Sequence, residues 1–177
     1  MLTKVFRIIL VVLLPLSFLP ALAQRMQSIQ WTADGNAYIT SSFGNIVRND
    51  VAAGEKTTLI SAEELTPEGQ SKPLTVSGYS FSPDYKRILV FTNTARVWRY
   101  NTRGDYWVYD AGQKKLWQLG KGLPAQSLMF AKISPDGTKA AYVSGHNIYM
   151  EDLATQKITQ LTTTGTRKFI NGTFDWV

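Results

Sequence analysis

Hydrophobic and polar positions alternate along the middle of the chain in a pattern that predicts antiparallel strands. Residues 79–119 are predicted to form strand, turn, strand, loop, strand, turn and strand, because short runs of β-branched and aromatic residues lie between polar clusters. Ser82-Pro83-Asp84 and Asp110-Ala111-Gly112 are residues typical of turns. Residues 92–105, between the second and third strands, are predicted to be an inserted loop.

The first turn of this unit recurs at a nearly constant spacing. Related stretches begin at Trp31, Phe81 and Ile133, which are 50 and 52 residues apart. A period of this size is typical of β-propeller blades, four-stranded antiparallel sheets that bury both faces by stacking on their neighbours. The sequence therefore predicts an all-β fold, a partial β-propeller of about three blades. We expect the blades at residues 29–60, 79–120 and 130–162, with the next blade starting at residues 163–177.

Residues 1–23 differ in composition from the rest of the chain. Lys4 and Arg7 precede an apolar run of about twelve residues, which Ala21-Leu22-Ala23 follows. This order predicts a secretory signal peptide, and the alternative, an uncleaved membrane anchor, would need about 20 apolar residues. We therefore expect the protein to be periplasmic or secreted after cleavage near Ala23, with residues 24–177 forming the mature propeller domain.

Composition narrows the kinds of site that the chain can contain. The absence of cysteine excludes disulfides and thiolate metal sites, and neither a metal nor a cofactor is expected. The net charge of +6 comes from scattered Lys and Arg without a basic run, so nucleic acid is not an expected partner. The single histidine, His146, lies in a predicted turn between strands and is not expected to be catalytic.

A short acidic segment follows the first predicted blade. Ser61 and Glu64 have the spacing of a capping box, in which each side chain bonds the other residue's backbone amide. The alternative is that Glu63 and Glu64 form a paired-carboxylate site, either catalytic or amine-binding. The capping box is favoured because adjacent side chains on a short helix diverge, and Pro67 ends the segment.

The middle unit carries the most specific motifs. The order Ser82-Pro83-Asp84-Tyr85, then Val97-Trp98-Arg99-Tyr100, then Tyr106-Trp107-Val108-Tyr109-Asp110 resembles the early propeller blades of bacterial dipeptidyl peptidase IV, within the prolyl oligopeptidase family of serine peptidases. Residues 170–177 resemble that family's segment leading into its paired-glutamate motif. The resemblance covers roughly residues 70–177.

The resemblance implies an exported enzyme with a propeller and a C-terminal α/β-hydrolase domain, which removes dipeptides from peptide N-termini after proline or alanine. In that family, an arginine after the tryptophan of the second motif hydrogen-bonds substrate carbonyls, and Arg99 occupies this place. A guanidinium suits this role because it is always charged and offers donors in one plane. The alternative is a structural cation–π pair of Arg99 with Trp98 or Tyr100.

The chain itself is expected to have no catalytic residues. It ends at Val177, where the family's Tyr-Glu-Glu-Glu stretch would begin, and it contains no G-x-S-x-G motif. The resemblance thus implies an N-terminal fragment whose partners are peptide N-termini and a hydrolase domain, and it allows a homodimer of the complete enzyme. The alternative is a free-standing periplasmic propeller that binds a partner, because fold alone does not fix function.

Overall fold

Every regular element in the described part of the chain is a β-strand. The computed structural model describes residues 29–173, so the predicted signal peptide and residues 174–177 lie outside the described residues. The strands are β1 (Gln30–Trp31), β2 (Ala37–Ser42), β3 (Asn45–Asp50), β4 (Lys56–Ile60), β5 (Gly78–Phe81), β6 (Arg87–Val97), β7 (Tyr100–Asp110), β8 (Lys115–Gln118), β9 (Leu128–Ile133), β10 (Lys139–Ser144), β11 (Asn147–Asp152) and β12 (Ile158–Gln160).

The strands form two antiparallel sheets. Strands β1 to β4 make a four-stranded sheet in chain order. The second sheet has eight strands, in which β5 to β8 and β9 to β12 each repeat the order of the first sheet. These two groups join where β7 pairs with β9, at Arg103 with Met129 and at Gly104 with Leu128. The prediction of an all-β partial propeller is confirmed. Within residues 29–173, no helix is long and apolar enough to cross a membrane.

The predicted loop at residues 92–105 is wrong, because these residues extend β6 and β7 into a hairpin. Both strands are eleven residues long, and the pairing continues to Val97 and Tyr100 with two irregularities. The polar residues of this segment suggested a loop. They are compatible with strands here because the outer part of the hairpin is exposed, and an exposed strand needs no apolar face.

Two hydrophobic cores lie on opposite faces of the β5–β8 unit. Side chains alternate between the faces of a strand, so Ile88 and Val90 face the first sheet, while Leu89 faces the β9–β12 unit. Tyr109 and Val108 are divided in the same way. Burial on both faces explains why the middle unit contains a continuous apolar run, whereas a half-buried strand would alternate.

The repeated turns share one hydrogen-bonding pattern. In each, an aspartate accepts a hydrogen bond from the hydroxyl two residues earlier and another from the amide two residues later; the aspartates are Asp34, Asp84 and Asp136. These bonds, led by the hydroxyl, lower the pKa of all three carboxyls, that of Asp136 to about 2. The next residue adopts a positive φ, which is Gly35 or Gly137 in two turns and Tyr85 in the third.

Candidate functional site

Arg99 lies at the tip of the β6–β7 hairpin. The hairpin turns through two residues, Trp98 and Arg99, between the paired residues Val97 and Tyr100. Trp98 has a φ of 57°, the left-handed conformation that two-residue hairpin turns require at their first position. Trp98 and Tyr100 are 68% and 72% exposed, and Arg99 is exposed between them. The turn therefore presents a cation flanked by two aromatic rings.

The hairpin carries a net positive charge. Arg96 and Arg103 lie on its two strands and are exposed like Arg99. Between residues 29 and 173, no carboxylate forms an ion pair with any of these three arginines. Arg96 donates from Nε to the carbonyl of Trp98 at 2.8 Å, which holds the turn closed. The guanidinium of Arg99 thus has donors available for a carbonyl or a carboxylate.

A cluster of polar side chains fixes the base of the hairpin. Asp105, 8% exposed, accepts a hydrogen bond from Asn93 Nδ2 at 2.6 Å and another from the backbone amide of Gln126 at 2.7 Å. Gln126 Nε2 donates to Asn93 Oδ1 at 2.9 Å, which closes a triangle of three residues. We call Asn93, Asp105 and Gln126 the base cluster. It links both hairpin strands to the connection between β8 and β9.

Close backbone packing lies beside the base cluster at Gly104. A Cβ atom at this position would come within 2.6 Å of Phe91 Cε2 and 2.7 Å of the Thr92 carbonyl oxygen. The Phe91 ring is itself held in a stack on Tyr106, with ring centroids 4.5 Å apart. Only glycine fits without a shift of backbone or ring, so the base of the hairpin has little freedom to move.

The acidic segment after the first sheet is a structural connection. Glu64 accepts a hydrogen bond from the Ser61 amide at 2.9 Å, and Ser61 Oγ accepts one from the Glu64 amide at 3.3 Å, so the predicted capping box is confirmed. Glu64 also accepts from the Tyr109 hydroxyl at 2.7 Å and lies 3.6 Å from Lys114 Nζ. These contacts, led by the Ser61 amide, lower the pKa of Glu64. They occupy its carboxylate, whereas Glu63 is exposed.

His146 lies in the turn between β10 and β11, as predicted. Its φ is 66°, its side chain is exposed, and its carbonyl accepts a hydrogen bond from the Asn171 amide at 3.0 Å. Among residues 29–173, no group of three or more histidine or acidic side chains is placed to hold a metal ion.

Two acidic residues in the structure escaped the sequence analysis. Asp105 falls at the end of the stretch predicted to be a loop. Glu151 is 1% exposed and accepts hydrogen bonds from the Gly120 amide at 2.9 Å and the Tyr142 hydroxyl at 3.2 Å. Burial raises the pKa of Glu151. The only sequence signal for its burial is its position in a strand near the end of the third repeat.

Comparison with known proteins places these features in context. Residues 82–177 match a family model described as the dipeptidyl peptidase IV (DPP IV) N-terminal region. Dipeptidyl aminopeptidase B of Saccharomyces cerevisiae is 29% identical over 162 residues, which cover 86% of this chain and 19% of the yeast protein. Human prolyl endopeptidase FAP is 30% identical over 145 residues, which cover 81% of this chain and 18% of the human protein.

A solved structure has a similar fold. Porphyromonas gingivalis dipeptidyl peptidase 4 aligns with a TM-score of 0.69 and 27% identity, over 80% of this chain and 20% of the solved chain. The chain thus spans about a fifth of the length of each of these relatives.

Proposed function

Since this chain belongs to the family of dipeptidyl peptidase IV N-terminal regions, we propose that it is the substrate-positioning part of the propeller in an exported serine-type dipeptidyl peptidase. The complete enzyme would release dipeptides from peptide N-termini after proline or alanine. The names of the relatives, dipeptidyl aminopeptidase B and dipeptidyl peptidase 4, support this class of activity. The substrate would be the N-terminus of an unfolded peptide or a flexible protein end.

The observation that carries the proposal is the exposed, unpaired Arg99 at the tip of the hairpin. A peptide carbonyl oxygen accepts hydrogen bonds in the plane of its amide, and a guanidinium presents parallel donors in one plane. Because no carboxylate in the described part of the chain competes for Arg99, this group can bind a substrate carbonyl at no cost from breaking an ion pair. Trp98 and Tyr100 offer apolar surface to the side chains around that carbonyl.

We assign the bond-breaking chemistry to a hydrolase domain outside residues 29–173. Acyl transfer needs a nucleophile, a base within hydrogen-bond reach and an oxyanion hole. His146 is the one histidine of the sequence, and it stands exposed in a turn that shares no hydrogen bond with a serine in the described residues. The role of this chain is therefore to bind and orient, which raises the rate by fixing the scissile bond near the nucleophile.

The test is the substitution Arg99→Ala in the complete enzyme, assayed with Gly-Pro and Ala-Pro p-nitroanilides. Loss of a charge-assisted hydrogen bond of about 1.5 to 3 kcal/mol lowers kcat/KM roughly tenfold to a hundredfold. The melting temperature stays nearly unchanged because the side chain is exposed. Arg167→Ala, which removes another exposed arginine distant in sequence from the hairpin, serves as the control and leaves kcat/KM unchanged.

The proposal fails if Arg99→Ala retains full kcat/KM. Parallel losses of melting temperature and activity would instead identify Arg99 as a structural residue stacked on Trp98 or Tyr100. A complete protein with no peptidase activity would favour the alternative of a propeller that only binds a partner.

A further inference from the structure

We propose that Asp105 is a positioning residue, which acts through the base cluster to hold the Arg99 hairpin in its substrate-binding orientation. Asp105 lies six residues after Arg99, and its partner Asn93 lies six residues before it. The two therefore join the hairpin strands at equal distances from the tip. This inference rests on the proposed function of Arg99.

The base cluster is where side chains fix the hairpin to the rest of the molecule. Asp105 accepts from Asn93 on the opposite strand and from Gln126 on the following connection, at 2.6 Å and 2.7 Å. The side-chain hydrogen bonds nearer the tip are local: Arg96 bonds Trp98, and Asn101 bonds Thr94. The backbone pairing of Arg103 with Met129 and of Gly104 with Leu128 holds the same strand beside the cluster. The hairpin thus has a fixed base and a free tip.

Two members of the base cluster adopt left-handed backbone conformations. Asn93 and Gln126 both adopt left-handed φ values, 45° and 56°. Such conformations persist where the surrounding contacts over-determine them. Both of these residues meet at one nearly buried carboxylate, and each of its oxygens accepts a hydrogen bond. Removing the acceptor would take this partner from the Asn93 side-chain amide and from the Gln126 backbone amide, and would loosen the two segments at this point.

The length of the hairpin amplifies any movement at its base. Six residues of extended chain span up to about 20 Å, so a rotation of about 3° at the base cluster moves the tip by about 1 Å. A displacement of about 1 Å in a positioning group costs up to about a hundredfold in rate. The orientation of the guanidinium therefore depends on residues that do not touch the substrate.

The test is a set of variants in the complete enzyme, assayed with Gly-Pro p-nitroanilide. Asp105→Asn keeps the shape of the side chain, but its NH2 group then faces one of the two N–H donors that Asp105 accepts from. We therefore expect kcat/KM to fall roughly tenfold, within the range that misplacement of a positioning group produces. Gln126→Ala removes only the side-chain bond to Asn93 and is the milder variant, with a loss of roughly threefold, well inside the same range. Asp136→Asn, in a turn outside the hairpin, is the matched control and leaves kcat/KM unchanged.

An exchange of the two polar groups separates positioning from other roles. In the double variant Asn93→Asp/Asp105→Asn, the new amide donates to the new carboxylate, and both hydrogen bonds from Gln126 keep an acceptor. We expect this variant to regain the wild-type kcat/KM within about twofold, since the geometry of the cluster is restored. In the Arg99→Ala background, Asp105→Asn should cause no further loss, because it acts only through Arg99.

Each result gives a distinct answer. If Arg99→Ala lowers kcat/KM but Asp105→Asn does not, the positioning role is refuted and the proposed function stands. If Asp105→Asn causes the same loss with and without Arg99, or if the exchanged pair fails to recover, Asp105 does not act by positioning Arg99. If Arg99→Ala has no effect, the proposed function itself fails. Amide hydrogen exchange gives a readout that does not depend on activity. Faster exchange across residues 92–105 in Asp105→Asn, with the wild-type rate in the exchanged pair, supports the positioning role of the base cluster.

Discussion

The hydrogen bond between Tyr109 and Glu64 gives a quantitative test of how the first sheet is attached to the second. Tyr109 is 2% exposed and belongs to the core between the sheets, and its hydroxyl donates to Glu64 at 2.7 Å. Tyr109→Phe removes this bond and keeps the ring. A hydrogen bond to a charged group contributes about 1.5 to 3 kcal/mol. Because 29% of the Glu64 side chain remains exposed, water replaces part of the bond, and we expect a loss of about 1 to 1.5 kcal/mol.

Amide hydrogen exchange is the suitable assay, since a single unfolding free energy would be poorly defined for the multidomain enzyme that we propose. A loss of about 1 to 1.5 kcal/mol speeds local exchange roughly five- to thirteenfold. The effect should appear in peptides covering residues 61–74, whose turn is anchored by Glu64. Tyr38→Phe is the control, because the Tyr38 hydroxyl makes no hydrogen bond among the described residues.

The faster exchange caused by Tyr109→Phe should also depend on pH, and it should diminish as the pH falls. The folded state lowers the pKa of Glu64 below its ordinary value of 4.5, so the ionised carboxylate contributes stability above that pH. The contribution is lost as the pH falls through the lower, folded pKa. An unchanged exchange rate at neutral pH would refute this account. So would an equal acceleration by Tyr109→Phe in a Glu64→Gln background, because the bond could then not be the cause.

Two further predictions concern the connections within the eight-stranded sheet. Folding raises the pKa of Glu151, so the protonated carboxyl stabilises the fold, and this stabilisation is lost as the pH rises above 4.5 through the folded pKa. The melting temperature of Glu151→Gln should therefore increase relative to that of the wild type between pH 4 and pH 8. A difference in melting temperature that stays constant over this range would contradict the prediction. Arg87 donates to Asp110 at 3.1 Å and to the Gly137 carbonyl at 2.6 Å. A lysine cannot span both acceptors, so Arg87→Lys should cost about 1 kcal/mol of local stability, measured as roughly fivefold faster amide hydrogen exchange in β6 and β7. The exposed Lys86→Arg should leave this exchange unchanged.

Features governed by neighbouring residues could be predicted from the sequence. The repeated aspartate turns and the Ser61–Glu64 capping box use hydrogen bonds that span two or three residues. The spacing of the repeated turns was enough to predict a partial propeller, and the motifs of the middle unit were enough to predict the resemblance to dipeptidyl peptidase IV, which the match over residues 82–177 confirms. The signal peptide and the role of Arg99 stay predictions.

Features that depend on distant partners could not be predicted in the same way. Asp105 bonds residues 12 and 21 positions away, and Glu151 bonds an amide 31 positions away. No local pattern distinguishes these carboxylates from exposed ones. The hairpin at residues 92–105 was missed for a related reason, since its outer strands lack the alternation that burial imposes on a sequence.

The two boundaries between neighbouring four-stranded units are held by different kinds of contact, and this difference determines which boundary can move more easily. The second and third units share backbone pairing at Arg103 and Gly104, so separating them breaks a sheet. The first unit is a separate sheet, held to the second by apolar packing and by side-chain bonds such as that from Tyr79 to the Ile39 carbonyl. Apolar contacts slide at lower cost than a strand ladder breaks. We therefore expect movement between units to occur more easily at the first boundary, with the Arg99 hairpin moving together with the second and third units.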